Sequence, residues 1–506
     1  MGKIAIAIVG GGAAGAGAAW QLHKTFGDAA EITVYERAEH VGGRAWDLNF
    51  GGCHMEVGGV LLHSTGQITR ELMEFTGSRE AVPSLSIDGK DETYAFWTDR
   101  GFPVLTRVSL ASMAFGILRH AGLPSALRVT RQAIKMARRY EGVYSQLREH
   151  APFATPDELF DQLGLLQPTK VSAAEYLRQL KVNDRMARDI VEAITHNMYN
   201  QGLEMNALAC LVGLAGAGLA GGHLFVIEGG NWTLFDKMIK KAGIRLRTGT
   251  KVERISGRST PGAARPFAYR LDTAGAAGAA GAAGAADTVG TAGAAGAAGT
   301  AGTAGTAGTA DTAGTAGTAG TADTAGSADT AGADFDAVVL AAPPALADLE
   351  IFLDGRPFPL LAHPYQPVQT TLVIGELNPA YFGRRPGQAM PSTIFTAASA
   401  SAPFKSIGTT GWSPDFDSRI YKIFSADHVM TDAELNAIFA TIHDVHTHPW
   451  RGAYPVLTPG IEHLPFELNP GLYFANALET IAGSIEVEAV SGTGAANLCA
   501  EYLKRA

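Results

Sequence analysis

Cysteine is scarce. The 506 residues contain three (Cys53, Cys210, Cys499), none in a CxxC pair. That excludes a disulfide framework and a cysteine-built zinc site, and it fits a reducing compartment, so a cytoplasmic location is expected. Basic charge is also short. Forty Lys and Arg face 49 Asp and Glu, a net charge of −9, so no face can be assumed basic enough to hold a phosphate backbone and no nucleic-acid partner is expected. Long apolar runs are few. Ile4–Val9 is too short for a secretory signal and ends in a glycine-rich turn, which predicts a first strand and no targeting peptide. Ala207–Ile227 lacks Asp, Glu, Lys and Arg, yet five glycines dilute it; it reads as buried wall, and no transmembrane segment is expected.

Proline is missing from residues 273–333, where glycine recurs every third position in (Thr/Ala)-Ala-Gly units. Collagen is excluded, because Asp stands at glycine positions 287, 311, 323 and 329, where the triple-helix axis admits only glycine. The segment cannot bury a core and predicts a disordered surface insertion joining the strands around Tyr269–Asp272 and Phe335–Leu340.

What is present is a nucleotide fingerprint in its required context. The Ile/Val/Ala run of Ile4–Val9 leads into Gly10-Gly11-Gly12-Ala13-Ala14-Gly15, which is GxGxxG; a helix to Phe26 and a strand over Glu31–Glu36 follow. Gly10 makes the turn, Gly12 admits the pyrophosphate, Gly15 lets helix meet strand, and the helix N-terminus faces the phosphates at Ala13 and Ala14. Glu36 is placed to accept from a ribose hydroxyl and argues against NADP. Next come Arg37, then Gly42-Gly43-Arg44, then Glu56-Val57-Gly58-Gly59. Gly43 permits close approach and Arg44 can neutralise diphosphate charge. This arrangement resembles the FAD signature of the amine oxidase and phytoene desaturase group. The resemblance places Val252, in a strand over Ile244–Val252, against the adenine. It also places a last helix starting at Ile485-Glu486-Val487 with its N-terminus toward the flavin.

Further segments resemble the prenylcysteine oxidase family: Glu56-Val57-Gly58-Gly59 with His63, Met198-Tyr199-Asn200-Gln201 (Asn200 in place of a glycine), Val226–Asn231, Gln369–Asn378, Lys422–Ser425 and Pro449–Pro455. The resemblance implies an α/β fold: a Rossmann-type FAD-binding domain (1–75, 223–272, 334–345, 465–506) interleaved with an α+β substrate domain (76–222, 346–464). It implies non-covalent FAD, O2 as acceptor, and a small lipophilic thioether cleaved to a prenyl aldehyde and cysteine. Peripheral membrane contact is compatible with such a substrate. The repeat and the leaderless start point to a bacterial source, where prenylated proteins are not an obvious substrate. Two alternatives therefore stay open: an FAD amine oxidase or isoprenoid desaturase, and a non-catalytic flavin- or lipid-binding relative.

His63 is the candidate catalytic residue, as proton acceptor for water, against a structural hydrogen bond. His196 is a weaker candidate. Leu110–Met136, with Phe115, Ile117 and Leu118, reads as tunnel wall or core. His443, His446 and His448 read as a solvated helix end, so no metal site is expected. Cys53 reads as an ordinary free cysteine.

Overall fold

The computed structural model describes residues 3–81, 93–107, 110–149, 153–219, 221–263, 265–274 and 334–505. From 275 onward the repeat lies outside them.

The first strand, Ile4–Val9, pairs in parallel with Ala30–Tyr35 on one side and Ala337–Leu340 on the other. Arg245–Arg247 and Leu472–Phe474 extend the parallel sheet outward, and Glu467–Asn469 closes one edge antiparallel. Ile6, Ala7 and Ile8 are fully buried because helices Ala13–Phe26 and Ile485–Lys504 pack on the sheet and strands Phe267–Ala274 and Asp334–Phe335 also pack against it, which is why the strand reads as an unbroken apolar run. Two helices, Ala13–Phe26 and Ile485–Lys504, cross at backbone contact. A Cβ on Gly17 would strike the Ala489 backbone, and one on Gly492 would strike the Ala14 carbonyl.

A five-stranded sheet flanks this domain, built on Lys251–Ser259 and Phe267–Ala274. The predicted strand Ile244–Val252 is in fact two. Gly249 turns the chain at φ +59°, so Arg245–Arg247 joins the parallel sheet and Lys251–Ser259 the second one. Phe267–Ala274 pairs with Asp334–Phe335, Tyr269 opposite Phe335, so the repeat connects neighbouring strands as read.

The third unit is a seven-stranded sheet in the order Phe439–Pro455, Tyr365–Leu377, Ser418–Ser425, Ser406–Ser413, Thr393–Thr396, Thr93–Thr98 and Gly101–Arg107. Helices between residues 110 and 219 pack with it. His443, His446 and His448 lie on its edge strand, not at a helix end. Among the described residues no three His, Cys, Asp or Glu are grouped to hold a metal. The stretch read as wall or core, Leu110–Met136, is two helices, Leu110–Ala121 and Leu123–Tyr140, with Phe115 68% exposed. Of the uncharged 207–227 stretch, helix Ala207–Leu214 is nearly all buried, and no described helix is long and apolar enough to cross a membrane.

Candidate functional site

The glycine loop is shaped by contacts only glycine allows. Gly10 has φ +109° and donates to Tyr35 O at 2.8 Å, and a Cβ on Gly15 would collide with Gly10 O. Ala13 and Ala14 open the helix, whose first N–H groups have no helical acceptor. Glu36 is buried; its carboxylate accepts from Gly11 N at 2.8 Å and Ala38 N at 2.9 Å. That latches the second strand to the loop and leaves lone pairs free on both oxygens. Gly42 donates to Gly11 O at 2.9 Å, which sets Gly43 opposite Gly12. Thr250 donates to Glu36 O, bringing buried Val252 to this edge. Arg37 points elsewhere, to Leu346 O at 2.9 Å.

The second glycine pair joins the first. Gly59 donates to Arg44 O at 2.8 Å, and Gly58 packs so closely on that carbonyl that a Cβ would clash. Gly59 also faces Ile485, the start of the last helix. Asn231, 1% exposed, clamps the turn. Its Nδ2 donates to Gly59 O (2.9 Å) and Val60 O (2.7 Å), its Oδ1 accepts from Ile227 N, and its N–H donates to Glu56 Oε1. The seven-stranded sheet holds the other side: Lys422 Nζ donates to Glu56 O (3.0 Å), while Thr370 Oγ1 and Trp450 Nε1 both donate to Val57 O. Burial pulls the Lys422 amine down to about 8 and pushes the Glu56 carboxyl up to about 7.

Arg44 forms an ion pair with buried Glu479 and donates to Ala453 O. The Asn476 amide bridges Glu479 Oε2 (3.3 Å) and Glu488 Oε2 (3.2 Å). Burial, then the charge of Glu479, raises the Glu488 carboxyl well above the usual range. Asn476 Oδ1 and Glu488 Oε1 are buried with no partner. Such orphaned groups beside a half-buried cation and a glycine cradle fit a polar dinucleotide. Glu479, Glu488, Asn476 and Lys422 were not singled out from sequence, although an ionisable residue within a run of apolar ones was the available signal.

The Glu486 side chain is turned away. It caps helix Gln67–Thr76, accepting from Ile68 N, Thr69 N, Thr69 Oγ1 and Tyr144 OH at 2.5–2.9 Å. Val487 N–H is satisfied by Ser484 Oγ, the helix N-cap.

His63 pairs in a short strand with Leu224; its Nδ1 meets Thr65 Oγ1 at 2.8 Å and its ring faces Gly222. Burial lowers its pKa. His196 is buried against Thr396 O and pulled down to about 4, again by burial. Asn200 ends helix Glu192–Tyr199 at φ +58°, which is why Asn can stand where the pattern has glycine. Cys53 is unpaired, its Sγ on Trp412 O.

A family model described as prenylcysteine lyase matches residues 113–281 and 311–506. The chain belongs to the prenylcysteine lyase family. A model for an NAD(P)-binding Rossmann-like domain matches residues 8–75. Farnesylcysteine lyase of Arabidopsis thaliana is 26% identical, over 97% of this chain and 87% of its own length. Prenylcysteine oxidase 1-like of Bos taurus is 25% identical, over 97% and 89%. In fold, the chain is similar to putrescine oxidase bound to putrescine (TM-score 0.57, 14% identity, 98% of both chains). Cyclohexylamine oxidase from Brevibacterium oxydans is alike too (TM-score 0.58, 14% identity, 99% of this chain and 100% of that one). The expected Rossmann-type α/β architecture is therefore the one present. This member of the prenylcysteine lyase family is an oxidoreductase, and its cofactor is FAD.

Proposed function

We propose that the protein oxidises a small lipophilic prenylcysteine-like thioether with O2. The observation that carries this reading is the family match through most of the substrate-side unit. FAD supplies a two-electron acceptor for the hydride leaving the carbon beside sulfur. Water adds to that carbon and its bond to sulfur breaks, giving a prenyl aldehyde and cysteine; O2 takes up the two electrons and leaves as H2O2.

The chain's own part is holding and drying. Gly10, Gly12, Ala13, Ala14 and Gly15 would cradle the diphosphate, Glu36 would accept from the ribose, Val252 would cover the adenine, and Arg44 with Gly43 would offset the diphosphate charge. Asn231 and Lys422 fix the Gly58–Gly59 turn on its two sides. The buried, uncharged Ala207–Leu214 helix excludes water. His63, kept neutral by burial, serves as acceptor for the proton of the attacking water.

Anaerobic titration with farnesylcysteine tests the reading. Bleaching of the flavin absorbance near about 450 nm, with a prenyl aldehyde formed and peroxide on admitting air, is expected. Flavin that dithionite reduces but farnesylcysteine does not would overturn it.

A further inference from the structure

Between Asp99 and Glu141 the sequence holds eight Lys and Arg and no acid, in a chain of net charge −9. The two helices of this stretch, Leu110–Ala121 and Leu123–Tyr140, form a corner at Gly122, φ +81°. The second helix is two-faced. Ala126, Val129, Ala133 and Met136 are buried, and the helix packs against the uncharged Ala207–Leu214 helix. Leu123, Leu127, Arg131, Lys135 and Arg138 follow one another at helical spacing on the outer face, and all are exposed. Leu123 is 54% and Leu127 58% exposed at the corner, and Phe115 on the preceding helix 68%. Arg128 and Arg139 are tied to backbone carbonyls, whereas Arg131, Lys135 and Arg138 pair with no carboxylate among the described residues.

We propose that this helical corner docks on an anionic lipid bilayer. Phe115, Leu123 and Leu127 enter the acyl boundary, and Arg131, Lys135 and Arg138 lie at headgroup level. Charge decides among occupants. A second copy would set cations against cations, and a nucleic acid would leave three large apolar side chains facing phosphate. A bilayer with anionic headgroups satisfies both halves of the face. The inference is independent of the reaction, but it sets the uncharged inner wall next to the phase where a prenyl chain partitions.

The test is sedimentation of the FAD-loaded full chain with sucrose-loaded vesicles of phosphatidylcholine alone, or with about 30% phosphatidylglycerol. Three cations at the surface predict a roughly hundredfold preference for the anionic vesicles, suppressed in about 0.5 M salt. R131E/K135E/R138E is expected to remove that preference. F115S/L123S/L127S is expected to weaken anionic binding about tenfold or more, with an unchanged ratio of flavin to protein. Equal binding to both vesicles, insensitivity to salt, or wild-type binding by the charge-reversed variant would each overturn the proposal. So would a dimer in solution that F115S/L123S/L127S dissolves, or RNA binding without vesicle binding.

Discussion

Asn231 shows how much one buried side chain can organise. It ties strand Leu224–Ile227 to the glycine turn through three side-chain hydrogen bonds from a buried position. Asn231→Ala leaves two carbonyls and an N–H without partners, about 1–3 kcal/mol each, so flavin retention and thermal stability are expected to fall together. The ratio of absorbance near about 450 nm to protein absorbance, with a melting curve, checks this. Glu56 makes a pH-dependent statement. Its folded pKa of about 7 exceeds the ordinary 4.5, so the folded state holds an extra proton between those values. Stability from this group falls as pH rises through that window and stays depressed above it. Glu56→Gln keeps the acceptor for Asn231 N–H and removes the buried charge. The variant should melt higher than wild type near about pH 8, by on the order of 2 kcal/mol, and no higher near about pH 4.5. Both residues lie within motifs read from the sequence, but neither clamp nor pKa was legible there. The clamp closes on the backbone carbonyls of Gly59 and Val60, far along the chain from Asn231, and the raised pKa comes from burial, which exists only once the sheets meet.

At the scale of elements, the decisive contact is the crossing of the first and last helices. Gly17 and Gly492 let the two backbones touch, which brings the start of the last helix to Gly59. Gly492→Val would force a side chain into the Ala14 carbonyl and push that N-terminus away. The expected outcome is loss of most bound flavin and at least about 3 kcal/mol of stability, read from flavin content and urea unfolding. A glycine inside a helix costs stability unless something must come close, and at Gly492 what comes close is the Ala14 carbonyl. The break at Gly249 was not legible in the sequence: Ile244–Val252 is a plausible single strand until two sheets compete for its halves. Nor was the exposure of Phe115. An apolar residue at helical spacing looks the same whether it faces a core or a membrane.

For the whole molecule, the repeat invites a test by removal. It bridges two strands that pair directly, Phe267–Ala274 and Asp334–Phe335. Replacing residues 275–333 by a four-residue turn should leave flavin content and turnover unchanged. Loop closure favours the shorter link by about 2 kcal/mol, so a small rise in melting temperature is the expected reading. A loss of activity would show that the repeat acts.

The sequence alone determined the parallel nucleotide-binding sheet, the FAD fingerprint and the insertion point, because each rests on local rules: apolar runs for buried strands, glycine for turns and close approach, an acid at the end of the second strand. Tertiary structure alone decided which ionisable groups matter. Burial and pairing depend on partners far along the chain, so Lys422 beside Glu56, Glu479 beside Glu488, and the diversion of Glu486 to cap a neighbouring helix became visible only when the sheets and helices met.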